Sequence, residues 1–259
     1  MALTLVLDAG GSRLKWAVVQ GERVEPLHTA PWQKAQVAFS EWIQTNRGGQ
    51  SNEPLILGLL DRPSTPAAAA SGFPKWIDEI HNVERIQLDP TTSCPFAIEY
   101  KEGHPGGDRL AAALACAKRD PSGSFVIVDA GTCITVDLLS PGRWRGGAIL
   151  PGLSLQSASL AHVGLPMLQK QNSAWPHQKG SKGALGRTTM EAIEAGIPWA
   201  TRQAVTATAA ALLEIDPCAE VIITGGDAAH FDGMGGWRTF ADPNLVLSGM
   251  AQLLNAKTA

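Results

Sequence analysis

Apolar residues near the start of the chain fall in two short runs, Leu5–Leu7 and Leu14–Val19, separated by Asp8, Gly10, Gly11 and Ser12. Apolar run, turn residues, apolar run predicts two strands joined by a tight turn. The pattern returns at Phe125–Leu139, and the copies align on Asp8 and Asp129, each followed by Ala-Gly and a small polar residue. Between the copies, Val37–Ile43 has helical spacing, and the composition of 47–54 is that of a loop. Leu55–Leu60 reads as a buried strand, Thr65–Pro74 as a helical turn or a connector, Lys75–Asn82 as a helix and Val83–Leu88 as a strand. Asp108–Arg119 is the clearest helix: it is rich in Ala and Leu, with an acid at its start and bases at its end.

After the second copy, Phe125–Val128, Cys133–Leu139 and Trp144–Leu150 predict a three-strand meander, and a helix follows Pro151. Polar, glycine-rich Gln169–Gly186 reads as a mobile loop, and Thr188–Glu214 as a long helix broken or kinked at Pro198. A strand from Glu220 runs into Gly225 and Gly226, and Leu245–Asn255 makes a last helix. Elements that alternate twice in this way predict an α/β protein of two similar domains, 1–112 and 113–259.

Composition narrows the function classes. With 259 residues and 44% hydrophobic content, the chain can build a substantial core. The net charge of -3 and the lack of a basic stripe argue against nucleic acid as a partner. No apolar run approaches the ~20 residues needed to span a bilayer. The four cysteines lack C-x-x-C spacing, so a zinc site is not indicated, and free thiols in a reducing cytoplasm are expected. The histidines stand singly and receive no role.

The repeated turn suggests phosphate chemistry. A tight turn of Gly and small polar residues aims backbone N–H groups into one concavity, which suits phosphate oxygens. A carboxylate at the strand end can hold Mg²⁺ or its waters. The bland alternative is a turn beside a surface acid, but the pattern occurs twice. A third piece, Thr224–Ala228 ("TGGDA"), offers glycines at a strand end against which adenosine can lie. The other common nucleotide signatures, G-x-x-x-x-G-K-[ST] and G-x-G-x-x-G, are absent.

These pieces resemble the actin, hexokinase and Hsp70 ATPase superfamily and, within it, type III pantothenate kinases, including the relatives called Bvg accessory factor. The resemblance is carried in order by "DAGGSRLKW" (Asp8–Trp16), "GGDR" (Gly106–Arg109), "VDAGTCITVD" (Val128–Asp137), "GGAILPGL" (Gly146–Leu153), "TMEAIEAG" (Thr189–Gly196) and "TGGDA". Each is short, but together in this order they are specific. The resemblance implies two actin-like, ribonuclease H-like domains with the active site in the cleft between them. It also implies a homodimer and ATP-dependent phosphorylation of pantothenate, the entry to coenzyme A synthesis.

Residue by residue, the resemblance implies that Asp108 is the base for the pantothenate hydroxyl, and that Tyr100, Gly106, Gly107, Arg109 and Thr189 join it in the substrate site. It places ATP at Asp8, Ala9, Gly10, Gly11, Ser12, Arg13, Leu14, Lys15 and Thr132. Asp8 would act on Mg²⁺ through water, and Asp129 would hold a monovalent cation, K⁺ or NH₄⁺. Plainer readings stand beside these. Asp108 could cap its helix, Arg109 could form a surface salt bridge, Tyr100 could be a half-buried aromatic, Thr189 could be a helix N-cap, and Lys15 could be a surface lysine. The chain departs from the family pattern at Gly11, where Asn is usual, and at Leu59–Pro63, where the family carries Ser/Asn-Val. Another small-molecule kinase of the superfamily, such as a sugar kinase, or a non-catalytic nucleotide-binding regulator would share most of these residues.

Overall fold

The computed structural model describes residues 2–25, 27–47, 54–60, 66–103, 105–170, 175, 184–237 and 239–258. The predicted loop at 47–54, the departure at 59–63 and the glycine-rich stretch at 169–186 fall largely outside the described residues. The chain divides into two compact units, Met1–Asp120 with Asn244–Ala259, and Pro121–Pro243.

The first unit opens with β1 (Thr4–Ala9), β2 (Arg13–Gln20), β3 (Arg23–Val24) and β4 (His28–Pro31). Then come α1 (Trp32–Arg47), β5 (Leu55–Leu60), α2 (Pro66–Ala70), α3 (Lys75–Asp78), β6 (Val83–Leu88), α4 (Pro90–Ser93), β7 (Ala97–Ile98) and α5 (Gly107–Arg119). Its sheet runs β3-β2-β1-β5-β6, with β4 also on β2. β1 is antiparallel to β2 and parallel to β5, which is parallel to β6. Leu5, Val6 and Leu7 are all buried, as a central strand covered on both faces requires.

Helix α1 outgrows its predicted span because Trp32, Ala35, Phe39 and Ile43 form one buried stripe. That stripe enters an aromatic cluster in which Trp16 meets Phe39 edge-on and Trp32 meets Phe73. α3 stops short of Asn82, which takes a left-handed φ of 53° and turns the chain into β6. α4 was not anticipated, although its start is marked in the sequence: Asp89 accepts a hydrogen bond from Thr91 N–H (2.9 Å), with Pro90 at the first helical position.

The second unit holds β8 (Phe125–Ala130), β9 (Cys133–Ser140), β10 (Arg143–Pro151), α6 (Leu153–His162), α7 (Thr189–Glu194), α8 (Ala200–Ile215), β11 (Glu220–Thr224) and β12 (Thr239–Ala241). Its strands run β10-β9-β8-β11-β12 with the directions of β3-β2-β1-β5-β6. The duplication read in the two turns therefore extends to both sheets. The predicted break at Pro198 is a π-helical turn, Ala195–Trp199, between α7 and α8. Proline has no N–H to bond back along the helix, and the wider turn accommodates it. Nε2 of His230 donates to Pro198 O across 2.9 Å. The core here is Val126, Val128, Ile134, Val136 and Leu138 from the sheet, against Val205 and Ala209 of α8.

The chain ends in α9 (Leu245–Thr258), which belongs to the first unit. This differs from the predicted division, which cut α5 near residue 112 and left the last helix with the second half. A Cβ on Gly249 would lie 1.9 Å from Ala111 O, so α9 and α5 touch backbone to backbone. The alanines of α5 permit that approach. Among the described residues, no helix is long and apolar enough to cross a membrane. No disulfide joins the four cysteines.

Candidate functional site

The first turn, Gly10–Ser12, joins β1 to β2, with Gly11 and Ser12 exposed. Trp32, buried at the start of α1, donates its indole N–H to Gly10 O (3.0 Å) and ties the turn to the core. Asp8 ends the buried run of β1 and is itself 4% exposed. Lys15 lies opposite it in register, with Nζ 3.6 Å from Asp8 Oδ2. Lys15 is thus the charge partner of the buried acid, which corrects its plainer reading as a surface lysine. A Cβ on Gly10 would lie 3.1 Å from Arg13 O, so the turn is too tight for a larger residue there without adjustment.

The second turn, Gly131–Thr132, joins β8 to β9 after Asp129. Gly131 N–H donates to Cys133 O across 3.0 Å. Two glycines from distant motifs press on this turn; sequence reasoning gave Gly152 no role and read Gly225 only as a place for adenosine to lie. A Cβ on Gly152 would fall 2.1 Å from Gly131 O and 2.5 Å from Thr132 O. A Cβ on Gly225 would fall 2.3 Å from Ala130 O and 2.5 Å from Asp129 Oδ1, and Gly225 also holds a φ of +94°. Their signal was present in "GGAILPGL" and "TGGDA", but only the tertiary contact shows what each glycine makes room for. Asp227 of the second motif donates its N–H to Ala130 O (2.9 Å).

Asp108 sits in the first turn of α5. Gly106 is the N-cap, and Asp108 Oδ1 accepts the N–H of Arg109 at 2.9 Å. The carboxylate folds back over Gly106, where a Cβ would be 2.5 Å from Oδ1. Asp108 therefore satisfies a helix-end donor without being the cap, and its charge suits the helix N-terminus. Gly107 packs on Leu60 and Pro90. Arg109 is 6% exposed, so the reading of a surface salt bridge does not hold. Tyr100 is 42% exposed.

Thr189 is exposed at the first position of α7. The N-cap reading of Thr189 is corrected: Thr188 is the cap, and it accepts Glu191 N–H at 3.2 Å. Glu191 in turn accepts the N–H of Arg187 (2.6 Å), which leaves Thr189 outside the capping contacts.

Among the described residues, no three His, Cys, Asp or Glu side chains gather as a metal nest. Mg²⁺ keeps several waters and takes one or two carboxylates beside substrate phosphates. Asp8 supplies one such carboxylate. At Asp129 the space beside Oδ1 is kept clear by Gly225, and an oxygen donor in such a cradle suits a hard cation.

The chain is similar to known proteins over most of its length. The family model described as type III pantothenate kinase matches residues 4–211. A type III pantothenate kinase of Halorhodospira halophila is 31% identical, with 96% of each chain covered. That of Azoarcus sp. is 30% identical over 99% of this chain and 92% of its own. Among solved structures, a Baf family protein from Campylobacter jejuni superposes with TM-score 0.56 at 19% identity, covering 98% of both chains. The ethanolamine utilization protein EutJ from Carboxydothermus hydrogenoformans does so with TM-score 0.54 at 14% identity, over 96% of this chain and 89% of its own. At such identities the structural likeness speaks to the fold.

Proposed function

The chain belongs to the type III pantothenate kinase family, and on that premise we propose that it transfers the γ-phosphate of ATP to pantothenate through the residues described above. The product is 4'-phosphopantothenate, at the start of coenzyme A synthesis. The observation that carries this reading is Asp108, an acid held on a glycine turn at the N-terminus of a buried helix.

Asp108 orients the primary hydroxyl of pantothenate and accepts its proton as that oxygen bonds to the γ-phosphorus. The bond from the γ-phosphorus to the bridging oxygen breaks, and ADP leaves. Phosphoryl transfer has a loose transition state, so positioning and charge stabilisation supply most of the rate. Arg109 lies beside the base and belongs to the substrate site with Tyr100, Gly106, Gly107 and Thr189. A guanidinium fork matches the carboxylate of pantothenate.

The turn from Asp8 to Lys15 and Thr132 of the second turn hold the ATP phosphates. Asp8 would hold Mg²⁺ through water, and Asp129 would hold K⁺ or NH₄⁺. These cations neutralise charge on the phosphate oxygens. The protein acts as a homodimer in the cytoplasm. Large apolar residues left exposed on the second unit, among them Ile149, Leu155, Val163, Met167, Leu185 and Met190, support a second copy as partner. The free thiols, with Cys133 and Cys218 exposed, suit a reducing compartment.

The deciding experiment incubates the protein with Mg-ATP and pantothenate in potassium, ammonium or sodium salts. Formation of 4'-phosphopantothenate with matching ADP in potassium or ammonium, and a sharp fall in sodium, is the expected result. No phosphorylated product in any salt rejects the function, and equal rates in all three reject the monovalent site.

A further inference from the structure

The second turn is held from both sides. Gly152, just before α6, donates its N–H to Thr132 O at 2.9 Å, and Asp227 donates its backbone N–H to Ala130 O at 2.9 Å. The segment after α6 joins these two holds. Buried Leu168 exchanges hydrogen bonds with Ser157 of α6, its N–H donating to Oγ (2.8 Å) and the Ser157 hydroxyl donating to Leu168 O (3.0 Å). Two residues on, Lys170 forms an ion pair with Asp227, and its ammonium lies 5.5 Å from the centre of the Trp175 ring. The Asp227 side chain is 7% exposed and that of Lys170 33%, so the acid is the shielded partner.

From this closed circuit of contacts we infer that Lys170 is a positioning residue for the second phosphate turn, acting through Asp227. The inference rests on the reading of Asp129 and Thr132 as the ends that meet phosphate and the monovalent ion. A shielded carboxylate that loses its cation turns toward water to recover solvation. The same residue carries the backbone N–H that holds Ala130, the neighbour of Asp129, so a rearrangement of Asp227 bears directly on that bond. Gly225 is packed against the same atoms and transmits the shift. The effect should therefore fall on ATP and on the monovalent ion. It should spare pantothenate, whose base Asp108 is fixed in another helix.

Lys170→Met keeps the aliphatic stem and removes the charge. Lys170→Arg keeps the charge. Steady-state rates are measured with ATP, potassium and pantothenate varied in turn. Lys170→Met should raise the KM for ATP and the half-saturating potassium by roughly tenfold, the scale on which groups one layer behind a site tune it. The KM for pantothenate should stay within about twofold, and Lys170→Arg should recover most of the loss. Unchanged ATP and potassium constants, or an equal loss in every constant, overturn the assignment.

Adding Asp227→Asn to Lys170→Met removes the charge left uncompensated and should move the variant back toward wild type. Failure to do so also counts against the circuit. Affinity for a non-hydrolysable ATP analogue, measured by calorimetry in potassium, separates this inference from the proposed function. Weaker binding by Lys170→Met supports it even if the wild-type protein does not phosphorylate pantothenate, and equal binding rejects it.

Discussion

Lys15 and Asp8 face each other across β1 and β2, with Nζ 3.6 Å from Oδ2, so the acid before the first glycine turn carries its own cation. The Lys15 side chain is 25% exposed and can serve both the carboxylate and an incoming phosphate. Replacing it with Met leaves the buried Asp8 carboxylate without its cation and should lower the melting temperature. It should also raise the KM for ATP, because a hydrogen bond to a charged group is worth roughly 1.5–3 kcal/mol. Thermal melting together with the KM for ATP checks this. An unchanged KM would return Lys15 to a purely structural role.

Asp108→Asn keeps an oxygen to accept the Arg109 N–H, so the start of α5 should survive. The loss should appear in kcat, by ~10²-fold or more, in line with removal of a general base. Binding of ATP should be unaffected. Turnover near the wild-type rate would remove Asp108 from the mechanism.

Gly225 and Gly226 make a matched pair for testing the second turn. At Gly225 a Cβ would meet Ala130 O and Asp129 Oδ1 at a φ of +94°, whereas at Gly226 a Cβ meets nothing within 4 Å. Gly225→Ala should lower the melting temperature and weaken ATP binding. Left-handed backbone alone costs an L-residue roughly 1–2 kcal/mol, and the overlap adds to it. Gly226→Ala should stay within about 0.5 kcal/mol of wild type. Equal behaviour of the two in denaturant melts would refute the contact.

Gly11 stands where the resemblance drawn from the sequence implies an Asn. It is exposed on the first turn, so a side chain there has open space to enter. Gly11→Asn should therefore add a donor toward phosphate and lower the KM for ATP. One hydrogen bond to a charged group, roughly 1.5–3 kcal/mol, corresponds to about one to two decades in affinity. A higher KM would mean that phosphate approaches the Gly11 backbone too closely for any side chain.

The longer strands of both sheets were legible from short apolar runs bounded by turn residues. Leu55–Leu60 and Val83–Leu88 match their predicted limits. β3, β4, β7 and β12 were missed. They are short and carry little periodicity, and an edge strand owes its existence to a neighbour rather than to its own pattern. Of the candidate residues, Asp8, Asp129 and the Gly106–Arg109 turn were marked by motif. The pairing of Lys15 with Asp8 follows from antiparallel register, which a lone sequence does not display.

The sequence by itself determined that this chain is a duplicated α/β protein with two acid-led turns and a glycine-led helix, since these depend on residues within a few positions of one another. Tertiary structure alone decided that α9 joins the first unit through Gly249 on Ala111, and that Gly152 and Gly225 clear space around the second turn. It also decided that Thr188 rather than Thr189 caps α7, and that Lys170 reaches Asp227. Apart from the cap, these are contacts between segments far apart along the chain. They are set by how closely one backbone can approach another, and periodicity within a segment carries no record of that distance. The cap is a near tie between adjacent threonines, resolved only by which one takes the extended backbone that lets its hydroxyl reach the third N–H of the helix.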